Sequence, residues 1–235
     1  MKSGHDINKL PGDGYLIVPL SMSRLADGSG QDPEWCYDVI TFFSKKLASF
    51  SSDVVFLYTY GLYTNTNEPG FEARKKINQQ ALNHVTKLRK MIEVKKEFMP
   101  RAFHYLPLDY VILNSPKFGE FMNILKALSN NDPAFRECIT KDIMGREFNE
   151  PNTNFILEEI AVAHIVRQHM VDFPHTLVKS DAWRLLVYPG GPINSDEYQI
   201  QNNILPQKNN AGPYSTGQYD YNNKIYNDYK DLKFN

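Results

Sequence analysis

Short, continuous apolar runs alternate along this chain with longer stretches of helical periodicity. The runs are Tyr15 to Leu20 (YLIVPL), Asp53 to Thr59 (DVVFLYT), Tyr105 to Leu113 (YLPLDYVIL) and Ala182 to Tyr188 (AWRLLVY). Each is apolar on both faces and short, which predicts strands buried inside a sheet. Pro19 and Pro107 must then sit where the ladder needs no donor. Between the runs, a helix opens at Asp32-Pro33-Glu34 and continues to about Ser49, with Trp35, Val39, Phe42, Phe43 and Leu47 at helical spacing. Asp32 is its expected cap and Pro33 its first turn. Further helices are expected over 71–98, ended by Pro100, then over 116–129, over 132–147 behind an Asp132-Pro133 start, and over 154–171.

Strands alternating with helices predict an α/β fold: a Rossmann-like parallel sheet flanked by helices, in a single domain over residues 1–195. In such sheets ligands bind beyond the carboxyl ends of the strands, where Ser21, Thr59, Tyr60 and Tyr188 stand. From about 196 the chain changes character. Residues 196–235 are rich in Asn, Tyr and Gln and poor in aliphatics. Such a segment cannot build a core of its own, so an extended C-terminal tail is expected, pinned by its tyrosines.

Composition narrows the function classes. With 42% hydrophobic and 13% aromatic residues a sizeable core is available, while a net charge of −1 gives no global pull toward nucleic acid or anionic membrane. Two cysteines, Cys36 and Cys138, without a CxxC pair, point away from a disulfide framework and toward a reducing, cytoplasmic setting. The start, MKSGHDINKL, lacks the apolar core of a signal peptide, and no run approaches the ~18 apolar residues of a membrane span. A monomer with no membrane partner is expected.

Several motifs are missing. No GxGxxG follows the first strand, no GxxxxGK[ST] occurs, and the HIGH and KMSKS signatures of class I aminoacyl-tRNA synthetases are absent. There is no HExxH either. His164 and His169, five residues apart, would diverge by roughly 140° on a helix. Neither a metal nor a cofactor is expected.

Residues 71–98 read FEARKKINQQALNHVTKLRKMIEVKKEF. On a helical wheel Ile77, Ala81, Val85, Leu88 and Ile92 gather on one side. Lys75, Lys76, Lys87, Arg89, Lys90 and Lys96 spread over the other. Between Glu72 and Glu97 eight Lys or Arg stand against three Glu, a one-sign excess on an otherwise balanced chain. Two readings follow: a solvated face, or a surface for a phosphate backbone. Ser21, at the end of the first strand, likewise has two: a cap for the next helix, or a nucleophile.

Ser21 after the first strand, the basic helix after the second, the helical run Phe155-Ile-Leu-Glu-Glu159-Ile-Ala and the strand end Val187-Tyr188-Pro189 occur in an order that resembles the tRNA-dependent cyclodipeptide synthases. That family is related in fold to class I aminoacyl-tRNA synthetase catalytic domains. The resemblance covers roughly residues 15–195. It implies an aminoacyltransferase that uses two aminoacyl-tRNAs and an aminoacyl-serine intermediate to make a diketopiperazine. Its alternative is a non-catalytic tRNA- or RNA-binding Rossmann domain descended from that family.

By the resemblance, Ser21 is the nucleophile, with Ser23 as the second choice. Glu159 handles the incoming amino group and Tyr188 acts beside it. Pro189 and Arg24 fit the Tyr-Pro subgroup, since the other subgroup has Asn where Arg24 stands. Val55 and Leu57 match positions lining the first aminoacyl pocket, and the basic helix matches the tRNA-binding helix. The family commonly has Tyr where this chain has Phe155. A second alignment puts His164 and Gln168 in place of Phe155 and Glu159.

Overall fold

The computed structural model describes residues 13–28, 30–46, 53–59, 70–95, 102–143, 147–174, 182–188 and 193–228. Among these residues six strands form one sheet in the order β3-β2-β1-β4-β5-β6: β1 (Gly14–Leu20), β2 (Asp53–Tyr58), β3 (Ala102–Pro107), β4 (Trp183–Tyr188), β5 (Tyr214–Asp220) and β6 (Ile225–Asp228). All neighbours are parallel except the final pair, β5 and β6. The expected α/β architecture is therefore the observed one. Every residue of β2 and β4 is buried, as continuous apolar runs require.

Helices cover both faces. On one lie α1 (Pro33–Lys46) and α2 (Phe71–Lys95), closing a core around Leu16, Val18, Phe43, Val54, Phe56, Leu88 and Leu185. On the other lie α3 (Asp109–Asn114), α4 (Phe118–Asn131), α5 (Pro133–Asp142) and α6 (Glu150–Arg167), over Tyr15, Ile17, Val55, Leu57, Phe121, Leu157 and Leu186. The alternation of odd and even strand residues between the two cores is the period-2 pleat. Gly14 opens β1 because a Cβ there would meet the Trp183 ring at 2.0 Å.

The expected start signals act as caps. The Asp32 carboxylate accepts from Trp35 N at 2.9 Å, and Asp132 accepts from Ala134 N at 2.9 Å and Phe135 N at 3.3 Å. α6 starts earlier than expected because Asn149 accepts from Asn152 N at 3.0 Å, with Pro151 in the first turn.

Two expectations are corrected. The third strand is Ala102–Pro107 rather than Tyr105 to Leu113. Pro107 ends an edge strand, and the apolar residues behind it turn helical from Asp109, with Val111 buried and Leu113 82% exposed. A short apolar run fits either period, and the acid in the first turn favours the helix.

The segment after 195 is no extended tail. Asn194–Gln201 is a helix (α7), and residues 214–228 extend the sheet by two strands. Polar bonds replace the missing aliphatics. Asp142 accepts from Asn194 N (2.8 Å) and Ser195 N (2.7 Å), capping α7 from a distance. Arg167 and Asp196 form a buried bidentate pair, each N–O distance 2.6 Å. The Tyr219 hydroxyl donates to Asp38 on α1, and β5 takes its ladder from the already buried β4.

Candidate active site

The chain runs from β1 outward to β2 and β3 on one side, then crosses to β4 and β5 on the other. The carboxyl ends of β1 and β4 therefore flank the topological switch point, where doubly wound sheets leave a crevice. Ser21 is the first residue past β1, and Tyr188 is the last of β4. Pro19, Leu57, Thr59, Leu108, Glu159, Val162, Ala163, Val166, Leu186 and Tyr188 line one recess there, between the strand ends and α6. Its wall is almost wholly hydrocarbon, with Thr59, Glu159 and Tyr188 as its polar residues.

Arg184 sets α6 against β4. Its guanidinium is buried and donates to Val166 O (2.9 Å) and Val171 O (2.8 Å) around the end of α6. The first carbonyl belongs to the last turn of α6, where it also accepts from His169 N, and the second to the segment that leaves the helix. Burial pulls this guanidinium down to about 10. Four residues on, and on the same face of β4, stands Tyr188. One strand thus both grips the helix carrying Glu159 and delivers Tyr188.

Ser21 is half-buried, two residues beyond the recess-lining Pro19, in extended backbone (φ −82°, ψ 129°). It occupies the cap position of the short 3-10 turn Met22–Arg24, yet its side chain makes no capping bond. Its N–H donates to Gln31 Oε1 at 2.6 Å, and its carbonyl accepts from Arg24 N at 3.0 Å. Arg24 is half-buried and closes that turn. Thr59 N–H and hydroxyl both donate to Leu20 O, at 3.0 and 3.1 Å, tying the ends of β1 and β2 together.

The remaining residues singled out from the sequence divide. Leu57 lines the recess, and Val55 is buried in the same core cluster. Phe155, one turn before Glu159 on α6, is buried in that core. Glu158 is half-buried, and burial raises its carboxyl above the usual range. His164 packs edge-on against Phe121, with Nε2 3.0 Å from Pro206 O, and burial pulls its imidazole down to about 4. Gln168 accepts from Lys208 N at 3.2 Å. These two residues pack on the segment leading to β5, and neither lines the recess. Tyr60, Lys96 and Pro189 lie outside the described residues.

On the opposite face of the sheet, α2 buries Ile77, His84, Leu88 and Ile92 and exposes Lys75, Lys76, Lys87, Arg89 and Lys90. Two of these cations have partners within the fold. Lys87 Nζ lies 2.7 Å from Asp27, and the Arg89 guanidinium sits 5.3 Å over the Tyr105 ring. A second recess, about 380 Å³, separates α2 from the loop after Ser21, with Met22, Leu25 and Ile77 on its apolar side and Lys76, His84 and Lys87 among its polar groups.

Among the described residues no cluster of three or more His, Cys, Asp and Glu side chains forms a metal-binding group, and no helix is long and apolar enough to cross a membrane. The residues not foreseen are Leu108, Val162, Ala163, Val166 and Leu186 in the recess, and Gln31 behind Ser21. The recess residues read as ordinary core in sequence, and nothing local marks Gln31.

Neither a protein-family model nor a curated protein matches the chain by sequence. Solved structures do match. A CDPS from Fluoribacter dumoffii is similar with a TM-score of 0.55 at 17% identity, over 86% of this chain and 88% of its own. The chain has the cyclodipeptide synthase fold. A CDPS from Staphylococcus haemolyticus aligns with a TM-score of 0.53 at 13% identity, over 85% of this chain and 88% of its own. A Mycobacterium tuberculosis protein, described as showing that cyclodipeptide synthetases are related to type I tRNA synthetases, aligns with a TM-score of 0.53 at 13% identity, over 88% of this chain and 86% of its own. At these identities the likeness is one of fold, which in this chain is a six-stranded, mostly parallel sheet flanked by helices.

Proposed function

We propose that the chain is a cyclodipeptide synthase of the Tyr-Pro subgroup, joining two aminoacyl groups from aminoacyl-tRNAs into a diketopiperazine. The observation that carries this reading is the meeting of Glu159 and Tyr188 in one recess at the switch point that Ser21 flanks.

In the first step the Ser21 hydroxyl attacks the ester carbonyl of an aminoacyl-tRNA. The Oγ–C bond forms, the C–O bond to the ribose breaks, and the proton passes to the departing ribose oxygen. An ester is activated enough for this, and the vicinal ribose hydroxyl can relay the proton, so no Ser-His-Asp order is needed. In the second step the amine of the next aminoacyl-tRNA attacks the seryl ester, forms the amide and returns the proton to Ser21. In the third the free amine attacks the remaining ester, closes the ring and releases tRNA. Glu159 holds the ammonium and accepts its proton before attack. The Tyr188 hydroxyl donates to the carbonyl under attack.

The hydrocarbon wall of Leu57, Leu108, Val162, Ala163, Val166 and Leu186 favours an apolar side chain on the first aminoacyl group. Burying a charged one there would cost far more than the contact returns. The exposed lysines of α2 would meet the tRNA backbone.

One observation favours a second reading, a non-catalytic RNA-binding descendant: Phe155 supplies no phenol on the α6 turn before Glu159. Bacterial expression followed by mass spectrometry of the medium separates the two. A diketopiperazine that disappears with Ser21→Ala supports the synthase. Folded, tRNA-binding protein without such a product supports the alternative.

A further inference from the structure

We propose that Gln31 is a positioning residue for Ser21, itself locked in place by His84 of the basic helix. This rests on the reading of Ser21 as the nucleophile.

Gln31 is only 4% exposed and closes the loop that follows β1 from both ends. Its side-chain oxygen accepts the Ser21 N–H at 2.6 Å, while its own N–H donates to the Arg24 carbonyl at 3.1 Å. Its main-chain carbonyl accepts from His84 Nε2 at 3.0 Å. Cys36 Sγ lies 3.8 Å from that carbonyl and from the same ring nitrogen.

The protons in this network have one consistent arrangement. A carbonyl can only accept, so His84 carries its hydrogen on Nε2. Nδ1, 2.8 Å from the Tyr58 hydroxyl, then accepts from it. Burial pulls the His84 imidazole down and pushes the Tyr58 phenol up, so both stay neutral. Tyr58 is in turn the last residue of β2, so the network is anchored in the sheet itself.

The consequence falls on Ser21. Just past the end of β1, its amide is held by the buried Gln31 oxygen. Turning the Ser21 peptide away would leave the buried Gln31 oxygen without this partner, a loss that water cannot readily make good. The bond therefore fixes the direction in which Cα–Cβ leaves the chain. Acyl transfer is sensitive to that direction, since a misplacement of about 1 Å can cost about 100-fold in rate. The same imidazole ties the nucleophile's loop to the helix whose outer face carries Lys75, Lys76 and Lys90.

The test measures single-turnover transfer of a radiolabelled aminoacyl group from aminoacyl-tRNA to the full chain, alongside tRNA affinity and a melting curve. The variants are Gln31→Leu, which deletes the acceptor, Gln31→Asn, which withdraws it while keeping the main-chain bonds, Gln31→Glu, which keeps an oxygen in place, and Ser21→Ala. Leu and Asn should slow transfer about 10–100-fold with tRNA affinity unchanged, and Glu should recover most of the rate. Wild-type rates for Leu and Asn, or a Glu variant as slow as Leu, would overturn the proposal. So would a parallel loss of tRNA affinity, or failure of the Asn variant to melt cooperatively, because either assigns Gln31 to the fold alone. Label that persists on Ser21→Ala overturns the nucleophile reading and this proposal with it. Label lost from Ser21→Ala but transferred normally to Gln31→Leu overturns the positioning role alone.

Discussion

Glu159 on α6 and Tyr188 at the end of β4 line the same apolar recess, although they stand 29 positions apart in the chain. Arg184, on the strand that carries Tyr188, binds one carbonyl in the last turn of α6 and one just beyond the helix, and so holds the two elements together. A carboxylate and a phenol at one mouth of a hydrocarbon pocket are suited to handling an amine beside an ester.

The neighbouring glutamates should therefore differ in function. Glu159→Gln keeps shape but removes the proton acceptor, and should lower product formation about 100-fold or more. Glu158→Gln should change it less than about 3-fold, since no step depends on that group. Initial rates of diketopiperazine formation by mass spectrometry give the comparison. Equal, mild effects would return attention to His164 and Gln168.

The basic helix is tested by salt. Lys75, Lys76 and Lys90 are exposed, whereas Lys87 pairs with Asp27 and Arg89 stacks on Tyr105. The cleanest variant is therefore Lys75→Ala, Lys76→Ala, Lys90→Ala. Its melting temperature should stay within about 2 °C of wild type, as surface substitutions usually do. Its plot of log affinity for tRNA against log salt should flatten by about 0.7–0.9 for each phosphate no longer neutralised, whichever amino acid the tRNA carries. Identical slopes would make the helix a solvated face.

His164 gives a pH prediction with a definite sign. Burial, then the nearby Arg167 charge, lowers its folded pKa to about 4, while the unfolded chain titrates near about 6.5. A depressed pKa means the unfolded state binds the proton first. Stability is then fully present above about pH 6.5 and falls as pH drops toward 4. In His164→Gln the slope of melting temperature against pH should flatten across this window. An unchanged slope would mean the imidazole is not buried neutral.

Arg167 and Asp196 decide whether the C-terminal segment is structural. Breaking a buried pair leaves an uncompensated charge and costs about 3–5 kcal/mol, so Asp196→Ala should lower the urea midpoint sharply. Cutting the chain after 195 should do the same, because it also removes β5 and β6. A truncated chain with wild-type stability would restore the idea of a dispensable tail.

Local signals were readable from sequence where one segment suffices. Asp32 and Asp132 announce caps because the capping bond spans only a few residues, and Ile77, Leu88 and Ile92 announce a buried stripe through their spacing. Tyr110 to Leu113 misled because four apolar residues have no resolvable period. The segment after 195 misled because composition reports on independent folding, whereas β5 is templated by β4 and α7 is held by Asp142 and Arg167 from elsewhere. In the recess, Leu57 could be foreseen by resemblance. Ala163 and Val166 could not, since apolar residues on a core helix look alike until α6 is placed over β1 and β4. Gln31 was invisible for a similar reason: its partners His84 and Ser21 lie 53 and 10 residues away.

Everything in the proposed chemistry depends on Ser21 carrying an aminoacyl group, and mass spectrometry of the acylated protein can detect that group. The chain is mixed with an aminoacyl-tRNA, quenched in acid within one turnover and digested. The expected result is a mass increase of one aminoacyl residue on the peptide containing Ser21, labile to hydroxylamine and absent in Ser21→Ala. Diketopiperazine formation with the adduct on any other residue, or undiminished in Ser21→Ala, would refute the seryl intermediate.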